Sequence, residues 1–380
     1  MSPRGDRPLR QTLRPIKRRA LSLSTRWRTR DWSPYSRLLV VGEGADWSIA
    51  DDVRQLERIA AALDVRIGSG HLAAHIESQS VFYASQFSLL GRRWERRGNR
   101  LGVAYLHGRP GTPGVPEFDA CYESLRNWHG DLDRVQVSNC AMKELVLETG
   151  IAPEKVFQIP IGVDLDCFRL RGDEDRFSAR RAYNLPDSAF VVGSVQKDGI
   201  GWGEGLEPKL IKGPDVLLAA MERLRDRVPE LVVLLTGPAR GFVKAGLERL
   251  RIPYRHAYLP DLEAVSEAFR ALDLCLVASR DEGGPKAVLQ AMASGVPLVT
   301  TSVGQAVDLV RQSENGFIVD LEDVDGLVSW AQHVAEMPTE ELERLVVAGR
   351  QTAEENSYPA LVPRWRALFE GFVSFASVGS

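Results

Sequence analysis

Thirteen residues in the second half of the chain, SRDEGGPKAVLQA at 279–291, bring together groups able to hold a phosphorylated polyol. Glu282 offers a carboxylate that accepts hydrogen bonds from hydroxyls. Gly283 and Gly284 let backbone N–H groups approach a ligand with no Cβ in the way. Pro285 suits a first helical position, where its missing N–H is not needed. Such a helix start presents free N–H groups and a positive dipole end, which favour an anion such as phosphate. Gln290, about two turns into the helix, supplies an amide for further hydroxyls. An anion with hydroxyls on either side of it describes a nucleotide sugar.

These side chains need a strand to bring the chain in and a helix to carry it away. The apolar run LDLCLVA at 272–278 has the length of one buried strand, and 287–294 reads as a helix stopped by Gly295 and Pro297. The same rhythm recurs along the chain. Strands are expected at 37–42, 65–67, 80–84, 101–106 and 134–138, then at 190–195, 230–236, 254–259, 298–301 and 317–320. Amphipathic helices are expected at 49–63 and 141–149, and at 325–337, 339–356 and 358–376 near the end. Strands alternating with helices imply βαβ units and parallel sheets. Gly42-x-Gly44 after the first strand opens like a dinucleotide fingerprint, but Trp47 stands where the third glycine belongs, which argues against a nicotinamide site. The turn still lies at the carboxyl edge of a sheet, where ligands bind.

The stretch DEGGPKAVLQAMASGVPLVTTSVGQA resembles the donor-binding segment of retaining GT-B glycosyltransferases, the family typified by sucrose synthase-like and polysaccharide-building enzymes. That family carries Glu, seven residues and a second Glu; here the two positions are Glu282 and Gln290. The resemblance implies that Glu282 and Gly283 meet the transferred sugar and that position 290 holds the ribose, which an amide can still do. After the strand FVVGSV the family has a basic residue, then a Lys-Gly at the next helix, both on the donor diphosphate. By position these are Lys197 and Lys212, with Lys209 as a rival, and Gly284, Pro285 and Lys286 complete that set. His107, between a strand end and GRPGTPG, matches a histidine that contacts the donor sugar or its phosphate. Loops after the strands of the second domain pass the base, with Leu259 the nominee. The glycine-rich insertion 199–205, with Trp202, is longer than the usual loop and is placed to act as a lid.

The fold so implied is α/β: two Rossmann-like doubly wound parallel-sheet domains facing a cleft. Residues 37–168 make the first, on the acceptor side, joined by the C-terminal helix 358–376; 169–187 link; 188–357 make the nucleotide-sugar domain. IPIGVDLDCF resembles the segment closing the first domain, with Ile161 in place of Asn. The implied chemistry is sugar transfer with retention from a nucleotide diphosphate sugar to a glycan or lipid-linked acceptor. No cofactor and no metal are expected: the pairs Asp131/Asp133, Asp164/Asp166 and Asp323/Asp325 read as turn or helix-start acids.

Composition fits a soluble two-domain protein, with 44% hydrophobic and 26% charged residues. No apolar run reaches the roughly 18–20 residues of a membrane span, and the N-terminus lacks the apolar block of a signal peptide. The four cysteines, Cys121, Cys140, Cys167 and Cys275, lie far apart and read as small buried hydrophobes in a reducing, cytoplasmic setting. Charge is uneven. Residues 1–36 carry ten Lys/Arg against two Asp, +8, so the rest of a chain totalling −3 carries −11. The tail reads either as a solvated flexible segment or as a peripheral contact for an anionic membrane surface, ahead of a nucleic-acid arm or transit peptide. Two other functional readings stand beside the transferase: a catalytically weak GT-B partner subunit, which Gln290 and Lys197 favour, and a nucleotide-sugar epimerase.

Overall fold

The computed structural model describes residues 34–42, 48–69, 77–90, 96 and 98–375. The basic tail through residue 33, and Gly44 and Trp47 of the first glycine turn, lie outside the described residues.

Two six-stranded sheets, parallel throughout, organise the chain. The first takes β1 (Arg37–Val41), β2 (Arg66–Ser69), β3 (Ser80–Tyr83), β4 (Arg100–Tyr105), β5 (Arg134–Val137) and β6 (Val156–Gln158), in the order β2-β1-β3-β4-β5-β6. The second takes β7 (Phe190–Val195), β8 (Leu231–Thr236), β9 (Tyr254–Ala257), β10 (Leu274–Val277), β11 (Leu298–Thr301) and β12 (Phe317–Val319), in the order β12-β11-β10-β7-β8-β9. Helices cover both faces, so the strands are apolar on both sides rather than alternating. All of LVVLLT in β8 is buried, yet Val232 and Leu234 join one core cluster while Leu231, Val233 and Leu235 join another. In β1, Leu38 and Val40 pack to one side and Leu39 to the other, the two-residue period of a strand.

The helices that matter for the site are, in the first half, α1 (Ser48–Ala62), α2 (Pro116–Trp128) and α3 (Cys140–Leu147), followed by the connecting α4 (Asp173–Ala182). The second half carries α5 (Pro214–Arg225), α6 (Gly241–Arg249), α7 (Leu262–Arg270), α8 (Lys286–Ala293) and the short α9 (Ala306–Leu309). It then runs through α10 (Val324–Ala335) and α11 (Thr339–Glu355) to α12 (Tyr358–Phe369). The last helix returns to the first sheet: Trp365 and Phe369 share a cluster with Leu56 and Ile59 of α1 and Phe82 of β3.

One element differs from the sequence reading. Its final helix ran to 376; the structure ends α12 at Phe369. Gly371 takes φ +69°, which only glycine adopts freely, and Phe372 and Val373 then turn into the core. The charged linker 169–187 carries a helix, and that helix is anchored through one buried side chain. Arg180 is fully buried, and its guanidinium donates to the carbonyls of Ala271, Asp187 and Ala189 and pairs with Asp273, which pins α4 to the second half.

Candidate functional site

In the second sheet the strand order reverses between β7 and β10, so the loops leaving these two neighbours open a crevice at their carboxyl ends. Three segments meet there. Gln196 and Lys197 follow β7; Ile211, Lys212 and Gly213 lead into α5; Ser279 to Glu282 follow β10. Backbone geometry ties them together: Arg280 and Asp281 donate their N–H groups to the Ile211 carbonyl at 2.8 and 3.2 Å. Gly213 is required at the join, because its φ is +61° and a Cβ there would lie 1.8 Å from the Ala278 carbonyl oxygen. The Gln196 amide donates to the Lys212 carbonyl at 2.8 Å.

Within this frame Glu282 and Lys212 form an ion pair at 2.9 Å. The Ser279 hydroxyl fixes the carboxylate from the other side, donating to Glu282 Oε1 at 2.5 Å. Lys209 is close enough to feel Lys212, Lys197 and Glu282; burial and then the two neighbouring cations hold its pKa below the usual lysine range. Burial lowers the pKa of Lys197 as well, and its ammonium lies 4.0 Å from the centre of the Trp202 ring. From the first half His107 reaches the same cluster. Its ring stacks on Phe87 with centroids 4.9 Å apart, and its Nε2 lies 3.0 Å from Ser85 Oγ. Burial, followed by the charges of Lys212 and Lys209, pushes its pKa down to about 4, so the imidazole is neutral near pH 7. Five of the residues singled out in the sequence, His107, Lys197, Lys209, Lys212 and Glu282, thus share one electrostatic environment.

The glycines also pack the two halves together. Gly283 is buried against the first half: a Cβ on it would fall 1.5 Å from the Leu106 carbonyl oxygen. Its own carbonyl accepts hydrogen bonds from Ser138 Oγ at 2.5 Å and Asn139 Nδ2 at 2.7 Å. Gly284 faces Ile161 and the Gln305 side chain. Both glycines are needed for the approach of the two halves. Pro285 is the N-cap of α8, with ψ 105°, rather than its first helical residue, because the chain is still extended there. Lys286 reaches across to α1, with Nζ 2.6 Å from Asp52 and 3.5 Å from Asp51. In this structure it joins the halves instead of joining the lysine cluster.

Gln290 is half-buried on α8, and among the described residues its side-chain amide makes no hydrogen bond. Leu259 follows β9 and packs its half-buried side chain on the core. Gly42 is exposed at the end of β1, and its partner Gly44 lies outside the described residues. A groove of about 720 Å³ runs between α1, the stretch 164–167 and the start of α7, lined among others by Asp51, Gln55, Arg58, Asp164 and Leu262.

Several residues were not found from the sequence. Asn139 is the N-cap of α3, bonding the Met142 N–H, while its amide also holds Gly283. Asp308 of α9 accepts from the Cys140 N–H at 2.9 Å and from Gln158 at 2.7 Å, closing a second contact between the halves. Cys140 is therefore exposed rather than a small core residue, and the hydrogen bond from its thiol to Asp308 raises its pKa. Gln305 accepts from the Ile161 N–H at 2.9 Å. Buried Asp281 accepts from the Arg109 N–H at 3.2 Å and from the Thr112 hydroxyl. An N-cap signal at Asn139 was legible; the partners across the halves were not, since no local pattern marks them.

Residues 203–337 match the family model described as Glycosyl transferases group 1. A D-inositol 3-phosphate glycosyltransferase of Thermomonospora curvata is 29% identical over 247 residues, covering 60% of this chain and 54% of that protein. D-inositol 3-phosphate glycosyltransferase 1 of Catenulispora acidiphila is 32% identical over 211 residues, covering 49% and 45%. The chain spans about half the length of the curated relatives it matches. Among solved structures, Anabaena HepE in complex with UDP-glucose superposes with a TM-score of 0.68 at 15% identity, covering 88% of this chain and 99% of that one. Sucrose-phosphate synthase from Thermosynechococcus elongatus gives 0.70 at 17% identity, covering 88% and 98%. The chain therefore has the GT-B fold, and its second half is similar to the group 1 glycosyl transferases.

Proposed function

We propose that this chain is a glycosyltransferase that moves a sugar from a nucleoside diphosphate sugar to a hydroxyl acceptor. The observation that carries the reading is the convergence of Lys197, Lys209 and Lys212 with Glu282 and the neutral His107 at the reversal point of the second sheet. Breaking the bond between the sugar carbon and the diphosphate oxygen leaves positive charge on the sugar and negative charge on the leaving group. The three lysines supply fixed positive charge where the diphosphate develops its own. Glu282 and His107 offer an acceptor and a neutral imidazole for sugar hydroxyls. The acceptor hydroxyl bonds to the sugar carbon, and its proton passes to the leaving phosphate, which gives retention by front-face attack.

Further support comes from similar proteins: two are D-inositol 3-phosphate glycosyltransferases, and one was solved in complex with UDP-glucose. A polyol phosphate therefore belongs in any acceptor panel, beside glycans and lipid-linked sugars. The +8 tail supports peripheral contact with an anionic membrane, to be checked by flotation of full-length and tail-deleted chains with anionic liposomes at low and high salt. No helix among the described residues is long and apolar enough to cross a membrane. The main test is release of free nucleoside diphosphate from a panel of nucleotide sugars, with and without acceptor. Acceptor-dependent release is expected. Binding of the donor with no release under any acceptor would instead favour the partner-subunit reading, for which the amide at Gln290 is the specific support. Inversion at the donor sugar with no acceptor would favour the epimerase.

A further inference from the structure

The segment between Asp198 and Lys209 is not built like a mobile loop. The bridge between Gly199 and Pro208 and the bond from the Ile200 N–H to the Glu207 carbonyl, 2.9 Å, make it a hairpin, closed at its base by Lys209 N–H on the Asp198 carbonyl at 2.7 Å. It is fastened at three points. Asp198 and Arg240, both fully buried, pair at 3.0 Å. Arg240 in turn donates to the carbonyls of Ser194 and Thr236, each at 2.8 Å, so the pair is anchored to the ends of β7 and β8. The carbonyls of Glu204 and Gly205 accept the N–H groups of Gly241 and Phe242 at the start of α6. Gly199 and Gly205 lie directly on the Ala239 carbonyl, where a Cβ on either would come within 2.3 Å. The expectation of a lid thus gives way to a rigid mount. Its two feet are Lys197 and Lys209 of the lysine cluster, and it holds Trp202, 59% exposed, against the Lys197 ammonium.

We propose that Trp202 is a positioning residue of the diphosphate site: its indole holds the Lys197 ammonium at the edge of the crevice, and the hairpin keeps the indole in place. This rests on reading the lysine cluster as that site. Indole is the ring that attracts a cation best, and the contact orients an ammonium without neutralising it. A lysine side chain has several rotatable bonds, so restricting it before binding removes part of the ordering cost of gripping a phosphate.

The test is calorimetry of the full chain with UDP, GDP and ADP, using the tightest of them for Trp202→Ala, Trp202→Phe, Lys197→Met and the double variant Lys197→Met/Trp202→Ala. Trp202 is exposed at a hairpin tip, so these variants should fold, which circular dichroism checks. Trp202→Ala is expected to weaken binding about three- to tenfold, and Trp202→Phe to restore most of the loss. The double variant should bind no more weakly than Lys197→Met alone, because the indole then has no ammonium to hold. Wild-type affinity in Trp202→Ala, or additive losses in the double variant, would overturn the role of Trp202 alone. If no nucleoside diphosphate binds the unmodified chain, or Lys197→Met and Lys212→Ala both bind as wild type, the diphosphate site itself falls and this role with it.

Discussion

Glu282 and Lys212 neutralise one another at 2.9 Å, so removing the acid has two separable effects. Glu282→Ala should lower kcat by about 10²–10³, the scale of losing one group that acts on the transition state. It should leave nucleoside diphosphate affinity equal or higher, because Lys212 is released to the phosphate. A fall in affinity as large as the fall in kcat would place Glu282 in ground-state binding instead. His107 makes a different prediction. Its pKa is about 4 in the folded chain, against an ordinary value of 6.5, so between those values the unfolded chain binds the proton and the folded chain does not. Stability conferred by the neutral ring is complete above pH 6.5 and is lost as pH falls toward 4. Chemical denaturation at pH 7 and pH 5 should show wild type losing roughly 1–2 kcal/mol more than His107→Gln between the two. Glu282 stood out from its place in a glycine-rich turn after an apolar run, and the lysines from the resemblance of their surroundings to the GT-B donor segment. The Trp202 contact and the Ser279 clamp on Glu282 were not legible, since neither follows from spacing.

At the scale of elements, the loop between β10 and α8, the proposed ligand cradle, is also a close contact between the halves. Gly283→Ala cannot be relieved by a side-chain rotation, because the clash is with backbone, the Leu106 carbonyl at 1.5 Å. The variant should keep its secondary structure by circular dichroism, yet lose turnover by about tenfold or more and show a larger radius of gyration by solution scattering. An unchanged radius would mean that the loop adjusts locally. Strands were read well here because buried β segments such as ELVVLLT and LDLCLVA are short, apolar and bounded by turn residues. The end of the last helix and the 198–209 hairpin were read poorly. A glycine-rich run looks flexible in one dimension, and only Arg240, more than thirty residues on, reveals its anchor.

For the whole molecule the arrangement of the two halves depends on a few polar contacts spread along the interface. Among the described residues they include Lys286 with Asp52, Gly283 with Ser138 and Asn139, Gln305 with Ile161, Asp308 with Cys140 and Gln158, and Asp281 with Arg109 and Thr112. Asp52 sits in surroundings that raise its pKa by burial, against the lowering effect of Lys286. Lys286→Met should therefore leave a partly buried acid without its cation and lower the melting temperature, by the equivalent of about 1–3 kcal/mol. Nucleoside diphosphate affinity should change less than in Lys212→Ala. An equal loss of affinity in both variants would return Lys286 to the phosphate set, where its position after Pro285 first put it.

Local information was enough for the α/β class of the fold and for the βαβ order. Each of these depends on periodicity or on a residue's distance from a turn, and both are written along the chain. Which lysine pairs with which acid was decided only by tertiary structure. Lys212 meets Glu282, 70 positions on, because β7 and β10 are neighbours in the second sheet, and Lys286 meets Asp52, 234 positions away, because the two halves face each other. The glycines of the central loop show the same division. Their need for a missing Cβ was plain from residue type, whereas what occupies the space, the Leu106 carbonyl at Gly283 and the Ile161 side chain at Gly284, is set by how the halves pack.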